Sequence, residues 1–276
     1  MRTSLIHIAK ATLALSSITP LSVACAPAYA DDAPASAALV SRSEKPSIVL
    51  VHGAFADGSG WNNVIPLLTR AGYTVTAVQN SLFSLAQDIA TTKRIISQQP
   101  GDVIVVGHSY GGAVITGAAA DNEKVRALVY VAAFAPDDAE PVGKFNEQYP
   151  ADLGAALVVD SAGFLTIDRD KFHDIFASDL PPSMTRVMSA SQKPLIASAF
   201  GESTPHAAWH DVPSWYVVAQ HDRAIQPALE RFYAERMHAT TIEVASSHVP
   251  FLSRPHTIAH VILQAARSTA DAPAKP

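Results

Sequence analysis

The sequence predicts an α/β architecture, a mostly parallel six-stranded sheet with helices on both faces. Short apolar runs rich in Val and Ile alternate with stretches of helical periodicity, the signature of βαβ units. Most of those runs are continuously apolar rather than alternating, as parallel strands covered on both faces require. The only cysteine is Cys25, near the N-terminus, so packing rather than disulfides must hold the domain.

Residues 1–30 read as a removable signal peptide. Arg2 and Lys10 lead it, an apolar stretch runs from Ala11 to Ala24, and Ala28-Tyr29-Ala30 supplies a small-x-small cleavage site. Cys25 raises a rival lipoprotein reading, weakened by Ser22 where such sites want an aliphatic residue. The apolar stretch is too short, and too broken by Pro20, to span a bilayer. Residues 31–46, rich in Ala, Ser and Pro, read as a flexible lead-in; 47–269 form the domain, and 270–276 a loose tail.

The expected strands are 48–51, 74–78, 103–106, 128–131, 215–219 and 241–244. Trp61, Val64, Ile65 and Leu68 recur at helical spacing, with Pro66 delaying regular helix and Gly72 capping its end. Ser84 with Gln87 forms a capping-box start for a helix using Leu85, Ile89 and Ile96. Further helices follow Pro227 and Pro255. The stretch 136–212 breaks the rhythm; it is far longer than an αβ connection and reads as an inserted lid over a pocket, with Met184, Val187 and Met188 on one helix.

The chain is 48% hydrophobic and 16% charged, with a net charge of −5. Losing residues 1–30 removes Arg2 and Lys10 and no acid, leaving 18 Lys+Arg against 25 Asp+Glu, or −7. That balance excludes a binder of nucleic-acid backbones. No membrane insertion is expected, because no later apolar run reaches about 20 residues. The expectation is a soluble protein exported to the periplasm or the medium.

The chemistry concentrates in Gly107-His108-Ser109-Tyr110-Gly111, between a strand and the small-residue helix beginning at Gly112. That context makes Gly-x-Ser-x-Gly a tight turn carrying a nucleophile, with glycines where a side chain would collide. Ser109 would then project beyond the sheet's C-terminal edge, where open α/β sheets bind ligands. A serine needs a base. Of the histidines, His52 and His108 belong to backbone motifs, whereas His248 lies in a loop after the last strand, at the edge that carries Ser109. His206/His210 and His256/His260 are spaced like metal ligands but lack an accompanying Glu or an obvious third ligand, so no metal is expected. The orienting acid is assigned to Asp222, directly after the fifth strand, with Asp137 and Asp138 after the fourth as alternatives. Backbone amides of Tyr110 and of Ala54, with Phe55 as a neighbouring candidate, would form an oxyanion hole. Phe55, Trp61, Tyr110 and the lid's Met and Phe residues are candidate substrate contacts.

VHGAFADGSGW (51–61), GHSYGG (107–112), AQHDRAI (219–225) and SSHVPFLSRP (246–255) together resemble the α/β-hydrolase superfamily, most closely its compact branch of plant methylesterases, hydroxynitrile lyases and related bacterial esterases. The resemblance covers nearly the whole mature chain and is weakest through the lid. It implies Ser109 as nucleophile, His248 as base, Asp222 as acid, Ala54 and Tyr110 as oxyanion hole, a small-molecule ester as substrate, and no cofactor. The branch's cyanide-releasing lyases carry Thr after the first-loop histidine and Lys after the catalytic one. Here Gly53 and Val249 stand in those places, which favours hydrolysis. A lyase or cofactor-free oxidative activity on the same triad, and non-catalytic ligand binding, are the alternative readings.

Overall fold

The structure, a computed structural model, describes residues 45–270. The expected signal peptide, nearly all of the lead-in and the tail lie outside the described residues.

In chain order the domain runs β1 (Ser47–Val51), a 3₁₀ turn (Gly58–Asn63), α1 (Ile65–Arg70), β2 (Val75–Ala77), α2 (Leu85–Ser97), β3 (Val103–Ser109), α3 (Tyr110–Ala118) and β4 (Val125–Ala133). The long insertion carries β5 (Leu157–Val159), β6 (Phe164–Ile167), α4 (Arg169–Phe176), α5 (Pro182–Ser191) and β7 (Leu195–Ile196). The chain then returns through β8 (Ser214–Ala219), α6 (Pro227–Arg236), β9 (Thr240–Val244), α7 (Pro250–Ser253) and α8 (Pro255–Ala270).

Six strands form one sheet in the order β2-β1-β3-β4-β8-β9, every neighbouring pair parallel. Position in that order explains burial. β1, β3 and β8 are buried at every residue, β4 at all but one, whereas the edge strands β2 and β9 are mostly half-buried or exposed. Each central Val, Ile or Leu contributes roughly 1.5–3 kcal/mol by leaving water. The chain leaves β1 toward one edge and restarts at β3 on the other side. β1 and β3 therefore flank the switch point at which open α/β sheets leave a crevice.

The expected capping device of α2 is half formed. Ser84 Oγ accepts the Gln87 amide at 3.1 Å, but the Gln87 side chain meets the Ser81 hydroxyl instead of returning to Ser84. Regular helix begins at Ile65 with Pro66 in its first turn, and Gly72 ends it in left-handed backbone at φ +81°. Met184, Val187 and Met188 share α5, as their spacing predicts. The insertion also holds a second, antiparallel sheet, β5-β6-β7, and the helix α4, neither of which the sequence announced. Strands of three, four and two residues are too short to show a period.

Candidate active site

The turn from β3 into α3 is as tight as the glycines suggest. Ser109 sits at φ 54°, ψ −126°, a sparsely populated conformation costing roughly 1–3 kcal/mol. A Cβ on Gly107 would lie 2.5 Å from the Gly111 carbonyl oxygen, so only glycine lets strand and helix close this sharply. The Ser109 carbonyl accepts the Phe134 amide at 3.1 Å, which ties the turn to the end of β4.

The loop after β1 presses against the serine, since a Cβ on Gly53 would stand 2.7 Å from Ser109 Cβ. His52 braces that loop. Its Nδ1–H donates to the Gly53 carbonyl at 2.8 Å, and its Nε2 accepts the Asn80 amide at 3.0 Å. Burial keeps this imidazole neutral, bringing its pKa down to about 4. Phe55 takes left-handed backbone at φ 60°, turning the chain directly after Ala54. The Tyr110 amide is the first of α3 and has no acceptor within the helix. Its phenol is buried and donates to Asp88 Oδ2 at 3.2 Å. Asp88 in turn accepts the Ser81 amide at 2.9 Å, the Leu82 amide at 3.1 Å and the Ser81 hydroxyl at 3.1 Å. Asp88 thus fixes the residue next to the candidate nucleophile.

His248 is fully buried, and its Nδ1–H donates to Asp222 Oδ2 at 2.5 Å. The other Asp222 oxygen accepts the Ala224 and Ile225 amides at 2.6 and 2.9 Å. With Nδ1 protonated toward the carboxylate, Nε2 is left as the basic nitrogen, and it has no hydrogen-bond partner among the described residues. The His108 ring lies 4.7 Å from that of His248 and donates Nε2–H to the His248 carbonyl at 2.8 Å. Burial, and then the nearby His248, holds His108 well below the ordinary imidazole range.

The alternative acids are engaged elsewhere. Asp137 receives His210 Nε2 at 2.7 Å, and Asp138 accepts the Ala207 amide at 2.7 Å and lies 3.3 Å from His206 Nδ1. Asp137, Asp138 and His210 present ligand atoms within 4.8 Å of one another at the surface, already paired among themselves. His256 and His260 are exposed on α8.

A cavity of about 350 Å³ opens beside this cluster. One wall comes from Phe55 to Gly60 and from Val249, Phe251 and Leu252; the other is Phe176 with Met184, Val187, Met188 and Ser191 of the insertion. It adjoins Ala54 and His248 through their neighbours Phe55 and Val249. Two expected contacts are corrected. Trp61 is buried behind the cavity, its ring 4.8 Å from that of Phe251, and Tyr110 points its phenol to Asp88. Both are large core side chains, which periodicity alone cannot separate from pocket lining. The sequence also gave no sign of Asp179, between α4 and α5, which accepts the amide and the hydroxyl of Ser247 beside His248. Phe176, from the same segment, meets the His248 ring edge-on at 4.9 Å.

A strained serine on a strand-to-helix turn at the switch point of a parallel sheet, with a buried His–Asp pair after its last strands, defines a hydrolase of the α/β class. The family model described as the alpha/beta hydrolase family matches residues 48–261, and the chain belongs to that family. Its relatives are named hydrolases and esterases and include both bacterial and plant proteins. It is 26% identical over 257 residues to the pyrethroid hydrolase of Sphingobium wenxiniae, covering 83% of this chain and 89% of that one. To methylesterase 8 of Arabidopsis thaliana it is 26% identical over 247 residues, covering 79% and 89%. The crystal structure of a pyrethroid hydrolase from Sphingobium faniae JZ-2 superposes with a TM-score of 0.70 at 23% identity, covering 82% of this chain and 99% of that one. That likeness establishes the fold. No helix among the described residues is long and apolar enough to cross a membrane.

Proposed function

We propose that the protein is an exported serine esterase that cleaves small carboxylic esters with an apolar acyl or alcohol group. The His248–Asp222 hydrogen bond carries this reading, because it leaves a buried, unpartnered Nε2 as a base beside the strained Ser109 turn. His248 takes the Ser109 proton as Oγ attacks the ester carbonyl, and Asp222 stabilises the imidazolium that forms. The oxyanion lies between the amides of Ala54 and Tyr110. Collapse of the tetrahedral intermediate expels the alcohol, which takes its proton from His248, and leaves an acyl group on Ser109. His248 then activates water, and the acid is released.

The cavity supports the apolar preference, being walled mainly by Phe55, Phe176, Met184, Met188, Phe251 and Leu252. The segment 136–212 acts as its lid. Relatives named for a pyrethroid and for methyl esters agree with ester cleavage. Export rests on the leader reading of residues 1–30. Turnover of aryl esters of increasing acyl length tests the proposal. Activity is expected, and it should disappear in Ser109→Ala and His248→Ala; an unchanged rate in Ser109→Ala would overturn it.

A further inference from the structure

Glu230 of α6 is completely buried. Its Oε2 accepts the amide of Ala219, the last residue of β8, at 2.9 Å. Oε1 is buried with no hydrogen-bond partner among the described residues, and the carboxylate beside Glu230 is that of Asp222, three residues past the strand end that Oε2 grips. Two ionised carboxylates can only accept and repel each other, so a buried pair of neighbours is stable only if one of them holds a proton. Asp222 already accepts the Ala224 amide, the Ile225 amide and His248 Nδ1–H, whereas Glu230 accepts a single amide. The proton therefore belongs to Glu230. Burial first, and the Asp222 charge second, push its carboxyl well above the ordinary range. The Arg231 charge offsets this only in part, its guanidinium being engaged with Glu243 at 2.7 Å, and the Tyr216 hydroxyl is bound to the Ala133 carbonyl.

We propose that Glu230 is a positioning residue: as a neutral carboxylic acid it donates its Oε1–H to the Asp222 carboxylate and holds that carboxylate in line with His248. Because Oε2 grips the final amide of β8, Glu230 fastens both the strand end and the acid that follows it. This inference rests on the triad reading above.

Glu230→Gln and Glu230→Leu test it, with Ser109→Ala in the same aryl-ester assay. Gln keeps a donor toward Asp222, so its kcat should stay within about twofold, with the acid limb of kcat/KM unmoved. Leu removes the donor, so kcat should fall roughly 10- to 100-fold with KM nearly constant. Its acid limb should move to higher pH, since an Asp222 without that donor holds the imidazolium more strongly. Wild-type kcat and pH profile in a folded Glu230→Leu protein would overturn the proposal. So would a Glu230→Gln acid limb displaced to lower pH, which would mean that Gln had replaced an anion. If Glu230→Leu does not fold, the Glu230→Gln limb decides alone. Loss of activity in Ser109→Ala with none in Glu230→Leu defeats only the Glu230 assignment, whereas full activity in Ser109→Ala defeats the triad itself.

Discussion

Asp179, from the insertion between β4 and β8, accepts the Ser247 amide at 3.1 Å and also the Ser247 hydroxyl, gripping the loop that carries His248. The segment that walls the cavity is thereby fastened to the candidate catalytic base. Insertion and imidazole are joined at this point, and Phe176 packs against the His248 ring as well.

Asp179→Ala should therefore harm catalysis through placement rather than chemistry. It frees the amide and hydroxyl of Ser247, and a small displacement of His248 costs roughly 10- to 100-fold in kcat/KM. Kinetics on a short aryl ester, checked against the melting temperature, measure this. Retention of wild-type kcat/KM would show that the Ser247 loop is held by other contacts.

The choice among acids makes a second prediction. Asp222→Asn should lower kcat on the order of 10³- to 10⁴-fold, because an amide no longer fixes the imidazole tautomer. Asp137→Asn and Asp138→Asn, whose partners are His210 and His206, should leave kcat within about twofold. The same steady-state assay on the three variants decides between them.

Cavity volume should govern which esters are accepted. Met188 lines the insertion's side of the cavity, so Met188→Trp should reduce it from about 350 Å³. Turnover of long-acyl aryl esters should drop about tenfold or more while acetate esters are little affected. A uniform effect on all chain lengths would place the apolar group of the substrate elsewhere.

The buried histidines weaken the fold in acid. His52 binds its proton near pH 6.5 when unfolded but only near 4 when folded. Between those values the unfolded chain holds the extra proton, so stability falls as pH drops and the contribution is complete above 6.5. His52 alone accounts for on the order of 3 kcal/mol across that window. His108 acts in the same direction. Urea denaturation at pH 7 and pH 5 should show the loss, and His52→Gln should flatten it.

How far the sequence foretold this protein varied with the kind of contact involved. The six sheet strands were legible because parallel pairing buries whole runs such as 103–106 and 215–219, and the Ser109 turn because its glycines answer a local collision. The insertion's small sheet was not, since its pairing is between fragments too short to carry a pattern. Asp88, Asp179 and Glu230 look like ordinary polar residues of helices and loops. Their partners Tyr110, Ser247 and Asp222 are met only through the fold. Trp61 went the other way, an aromatic beside a glycine loop that proved to be packing behind Phe251.

Covalent capture of the nucleophile tests the central claim most directly. After incubation with a fluorophosphonate, intact-mass and peptide analysis should find one phosphonyl adduct, on Ser109, formed more slowly in His248→Ala and missing in Ser109→Ala. Folded protein that forms no adduct, or forms it with another residue, would contradict the account.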